Sequence, residues 1–93
     1  MANTQHFMDL EDAHGAHNYH PLPVVLQKGK GLRVWDVEGR EYFDFLSAYS
    51  AVNQGHSHPK IVGAIVEQAQ TLALTSRAFY NAELGPFETA ITE

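Results

Sequence analysis

The sequence predicts an α/β segment and an incomplete domain: a short helix, an extended arm, a small antiparallel β-meander, then helices. Three observations carry this expectation. β-Branched and aromatic residues alternate with polar ones from about Val24 to Phe45, with glycines between the runs. Apolar residues recur at helical spacing after Pro59. Two or three strands and two to three helices leave apolar faces uncovered, and so small a sheet needs a partner.

The elements follow in chain order. Thr4 is expected to cap a helix running to about His14, with Gly15 as its left-handed stop and Phe7, Leu10 and His14 on one face. In "HNYHPLP", Pro21 and Pro23 push His20 and Leu22 toward extended backbone, giving an ordered arm. "VVLQ" is then a strand, "KGKG" a turn, "LRVWDV" a strand, and "REYFDFL" another. Gly39 in "DVEGR" supplies a positive φ for the second turn. "LSAYSAVNQGHSHP", residues 46–59, carries no acid, Lys or Arg and is a connection stopped by Pro59. Pro59 opens the clearest helix, with Ile61, Val62, Ile65, Val66, Ala69 and Leu72 on one stripe. "TSRAFYN" is irregular. A last helix starts near Gly85 and Pro86, with Glu88 close to the positive end of its dipole.

Composition narrows the function. The 93 residues suit at most one domain. A free-standing domain of this size buries only about 60–65% of its unfolded surface. A net charge of −5, with six scattered basic residues, argues against a nucleic-acid surface. Without Cys there is no disulfide, thiolate metal site or thiol nucleophile, which suits the cytoplasmic location expected here. "MANTQHFMDLEDAHG" has neither the apolar core of a signal peptide nor an Arg-rich transit pattern. No apolar run approaches the ~20 residues that span a bilayer.

Five histidines, His14, His17, His20, His56 and His58, invite a metal site. Gly15 and Pro21 break the helix that would gather the first three, and no acid joins them at a familiar spacing. They are read as loop and capping residues, with no metal expected. Tyr19 and Tyr49 each join a flat apolar body to a neutral hydroxyl, which suits orienting an amino acid without adding charge. Chemistry alone favours half-buried packing for both. Arg77 has the fork for a carboxylate or phosphate, but a loop Arg more often makes a surface ion pair. "KGKG" lacks the Gly-to-Lys spacing of a phosphate loop.

The run "GAHNYHPLPVVLQKGKGLRVWDVEGREYFDFLSAYSAVNQGHSHPKI", followed by "LALTSRAFYN", resembles the N-terminal region of ornithine aminotransferases, class III pyridoxal-phosphate enzymes. The class pattern is the "D.EG" hairpin, the aromatic "YFDF" and "GH.HP" opening a helix. "HNYHPLPV" with "SAYSAVNQGH" points to the ornithine branch. The resemblance covers about Phe7 to Glu93, and such enzymes are around four times longer. It implies fold type I, the aspartate-aminotransferase-like fold, with residues 1–93 as the N-terminal segment of the small domain and the start of the crossing to the large one.

The implied reaction moves the δ-amino group of ornithine to 2-oxoglutarate, giving glutamate semialdehyde and glutamate. Tyr19 matches a Tyr that holds the α-amino-acid end of ornithine, and Tyr49 one that lines the substrate pocket. Pyridoxal 5′-phosphate would be held by parts of the enzyme outside this chain. The partners implied are the remaining polypeptide and a second subunit in a homodimer, with no nucleic acid and no membrane. Lys28, Lys30 and Lys60 do not match the Schiff-base position, so no catalytic residue is expected here and the chain alone is expected to be inactive. Two other readings stay open: an acetylornithine or 4-aminobutyrate aminotransferase of the same class, and a non-catalytic assembly fragment.

Overall fold

The computed structural model describes residues 3–93. They fall into two compact units, one ending at Ile61 and the other starting at Val62.

The first unit opens with α1 (Thr4–His14). Asn3, not Thr4, is the cap: it is extended, and its side chain accepts the His6 amide at 2.8 Å. Thr4 is instead the first helical residue, and its N–H donates to Glu38 Oε2 at 3.1 Å. Gly15 ends the helix, but with φ −82°, not in the left-handed region. Glycine is needed there for close approach: a Cβ would lie 2.7 Å from the Glu11 carbonyl oxygen, which accepts the Gly15 amide. The arm that follows is free of regular structure, as Pro21 and Pro23 predict. The Val24 amide closes a tight turn onto the Leu22 carbonyl across Pro23.

Three strands then pair antiparallel in the order β1 (Leu26–Lys30), β2 (Arg33–Asp36) and β3 (Glu41–Phe43). The register sets Lys28 opposite Trp35, Lys30 opposite Arg33, and Val34 opposite Tyr42. β1 starts later than "VVLQ", and "KGKG" is mostly strand; the turn is Gly31–Leu32. Gly29 lies inside β1 because a Cβ there would meet the His56 ring at 2.8 Å. Gly39 has the expected positive φ, 88°.

The hairpin β2–β3 is organised around Asp36, which is 1% exposed beside Val34 at 6%. Its carboxylate accepts the Glu38 and Arg40 amides at 2.9 Å, the Arg40 Nε–H at 3.1 Å and the Tyr42 hydroxyl at 2.8 Å. Burial alone would raise this carboxyl. The bonds from Tyr42, Arg40 and Glu38 overcome burial and lower it to about 2. Asp36 thus ties both ends of the β2–β3 turn together.

The helix opened by Pro59, α3 (Pro59–Thr71), begins where the sequence predicts. In the second unit, "TSRAFYN" is irregular, and α4 (Leu84–Thr92) begins with Gly85 and Pro86 in its first turn. Asn81 Oδ1 accepts the Glu83 and Leu84 amides ahead of it, at 2.9 Å each. Large apolar side chains of both units stay exposed, among them Leu22 and Phe45 in the first and Leu74 and Phe87 in the second.

Candidate functional site

The site grows from the end of β3. Asp44 leaves the sheet with its amide on the Leu32 carbonyl at 2.8 Å. Its Oδ1 accepts the Leu46 and Ser47 amides at 3.1 and 2.9 Å, as an Asx turn requires. Its Oδ2 lies 2.6 Å from His56 Nε2. The Ser47 amide and the His56 ring hold the Asp44 carboxyl below its ordinary value.

Next comes α2 (Ser47–Ser50), a single left-handed turn. Ser47, Ala48, Tyr49 and Ser50 have φ of 53°, 50°, 58° and 72°, between right-handed Leu46 and Ala51. L-residues prefer the other hand by roughly 1–2 kcal/mol each, so four in a row need outside support. That support is visible. Asp44 holds the entry. Ser50 and Val52 amides close back onto the Leu46 and Ser47 carbonyls at 3.2 and 3.1 Å. At the exit, His56 and Gly31 exchange two backbone hydrogen bonds of 2.9 Å, pinning the loop to the β1–β2 turn. Gly55, with φ 90°, passes so close to Gly31 that a Cβ would lie 2.9 Å from its Cα.

The turn carries Tyr49, and the proline-stiffened arm carries Tyr19. Thirty positions apart in the chain, their hydroxyls meet at 3.4 Å. The Tyr19 hydroxyl and partial burial raise the Tyr49 phenol above its ordinary value. Both rings are otherwise exposed, at 73% and 77%. Two neutral hydroxyls side by side on open apolar rings can orient a polar ligand without adding charge. A concavity of about 860 Å³ between α1 and the arm includes Tyr19 in its lining.

The other candidates have ordinary surroundings. His56 is engaged with Asp44, the His58 ring accepts the Lys60 amide at 3.2 Å, and the His17 ring bonds the Asp12 carbonyl. Arg77 is exposed in the irregular stretch of the second unit. Lys28 and Lys30 lie on β1, not in a turn, and Lys28 sits 4.4 Å over the Trp35 ring. All three lysines are exposed, so none has the buried setting of a Schiff-base lysine, and the chain's residues do not fit covalent attachment of pyridoxal phosphate. Sequence reasoning missed the Asp44–His56 pair. Its faint signals are Asp44 two and three positions before Leu46 and Ser47, and glycines at 29, 31 and 55.

Residues 14–93 match the family model for aminotransferase class-III. The ornithine aminotransferase of Schizosaccharomyces pombe is 65% identical over 91 residues, which cover 98% of this chain and 21% of that protein. The crystal structure of acetylornithine aminotransferase from Elizabethkingia anophelis superimposes with a TM-score of 0.94 at 71% identity, over 99% of this chain and 24% of that one. Plasmodium falciparum ornithine δ-aminotransferase gives a TM-score of 0.94 at 53% identity, over 98% and 24%. The chain therefore spans about a fifth of the length of the curated relatives it matches. Its architecture is that of part of a fold type I aminotransferase, and the chain belongs to the class-III aminotransferase family.

Proposed function

We propose that this chain is the substrate-positioning segment of an ornithine aminotransferase. The single observation that carries the reading is the meeting of the Tyr19 and Tyr49 hydroxyls at 3.4 Å on exposed rings. In the complete enzyme, Tyr19 orients the α-amino-acid end of ornithine, and Tyr49 lines the pocket beside it. The δ-amine is then presented to chemistry supplied from elsewhere. Pyridoxal phosphate, held by the rest of the polypeptide, supplies the electron sink. What this chain supplies is orientation, and well-oriented groups gain effective molarities worth roughly 7–11 kcal/mol. The product pair is glutamate semialdehyde from ornithine and glutamate from 2-oxoglutarate.

The chain forms the N-terminal segment of the small domain and the start of the crossing to the large one. The division of the fold near residue 61 supports that placement. The exposed apolar side chains of both units suit burial against the remaining polypeptide and a second subunit.

One observation favours a second reading within the family: the structure at 71% identity is named an acetylornithine aminotransferase. Steady-state assays of the full-length enzyme with 2-oxoglutarate as acceptor separate the two. The ornithine reading expects the highest kcat/KM with free ornithine. A higher value with N-acetylornithine contradicts it.

A further inference from the structure

The left-handed turn that presents Tyr49 is held at both ends by one pair of side chains. Asp44 Oδ1 takes the Leu46 and Ser47 amides at the entry, and Asp44 Oδ2 meets His56 Nε2 at 2.6 Å at the exit. His56 is itself fixed. Its backbone exchanges two hydrogen bonds with Gly31, and its ring lies where a Cβ on Gly29 would be. Glycine at 29 leaves room for that ring, and glycine at 55 lets the loop reach Gly31. The pair is partly buried, with the Asp44 side chain 17% and the His56 side chain 25% exposed. It closes the loop of residues 44–56 across its neck. Among the described residues, no other side chain bonds across both ends of this loop.

We infer that Asp44 and His56 are positioning residues that set amine-donor selectivity by holding the left-handed turn, and with it the Tyr49 hydroxyl, in register with Tyr19. Neither touches the substrate. They act through Tyr49, so the inference rests on the pocket role given to Tyr49 above. Releasing His56 from Asp44 leaves the exit to its backbone bonds with Gly31 and unties the neck between exit and entry, in a turn whose backbone hand is intrinsically disfavoured. The turn relaxes and the Tyr49 hydroxyl leaves its place beside Tyr19. The defect is then specific to the donor that the tyrosines orient.

The test is a double-mutant cycle in the full-length holoenzyme, with kcat and KM measured for ornithine and for 4-aminobutyrate. His56→Ala is expected to raise KM for ornithine about tenfold, with kcat changed less than about threefold and the 4-aminobutyrate constants little altered. His56→Gln, whose amide can still donate to Asp44, is expected to recover most of the loss. In a Tyr49→Phe background, His56→Ala is expected to add less than about twofold, because the group it positions is gone. If His56→Ala yields no soluble enzyme, Asp44→Asn serves instead, since its Oδ1 still accepts both amides while the acceptor for His56 is lost. Additive losses in the cycle, or equal losses for both donors, overturn the inference while leaving the Tyr49 reading intact. A Tyr49→Phe enzyme with unchanged ornithine constants overturns the pocket reading itself, and the inference with it.

Discussion

At the scale of single residues, the glycines separate two physical demands that the sequence alone conflates. Gly31 and Gly39 have positive φ with no atom near a would-be Cβ, whereas Gly55 combines φ 90° with a contact of 2.9 Å to Gly31 Cα. In the full-length enzyme, Gly31→Ala should cost about 1 kcal/mol, the conformational term alone. Gly55→Ala should cost more, by about 1–3 kcal/mol of overpacking, and should also perturb the turn that carries Tyr49. Thermal denaturation of the two variants checks the order; an equal shift contradicts it. Gly29 and Gly15 look like turn or cap glycines in a sequence, yet both are there for close approach. That distinction is illegible without the neighbour, which for Gly29 lies twenty-seven positions on at His56.

At the scale of elements, legibility followed locality. The hairpin at Gly39, the irregular "TSRAFYN" stretch and the helix opened by Pro59 were readable because their signals lie within a few residues. The left-handed turn was not, since Ser47, Ala48, Tyr49 and Ser50 include neither Gly nor Asn to advertise positive φ. Its cause is tertiary: Asp44, His56 and Gly31 impose it. The β2–β3 hairpin hides its cause similarly, because Asp36 reads as a polar residue in a strand yet is only 1% exposed. Its depressed carboxyl makes a signed prediction. A group with a folded value of about 2, below its ordinary 3.8, contributes stability above its unfolded value and loses it as pH falls toward the folded one. Asp36→Asn should therefore lower the melting temperature by a constant amount above about pH 5, and the gap to the parent should close as pH drops from about 4 toward 2. A gap that widens with acid contradicts the hydrogen-bonded carboxylate.

At the scale of the whole molecule, the two tyrosines came into contact only through folding, although each was individually visible in the sequence. The division of labour follows from what is present. The chain offers two converging hydroxyls and a braced loop, and its lysines are all exposed. The chain expressed alone should therefore show no absorbance near ~420 nm with pyridoxal phosphate that depends on Lys28, Lys30 or Lys60; a Lys-dependent band would give it a catalytic role. In the complete enzyme, the donor pocket should answer to Tyr49. The most direct measurement is the ratio of kcat/KM for ornithine to that for 4-aminobutyrate, in the parent and in Tyr49→Ile. Loss of a hydroxyl partner worth about 1–3 kcal/mol predicts that the ratio falls by about fivefold or more. A ratio that stays unchanged would contradict the assignment of this segment to substrate positioning.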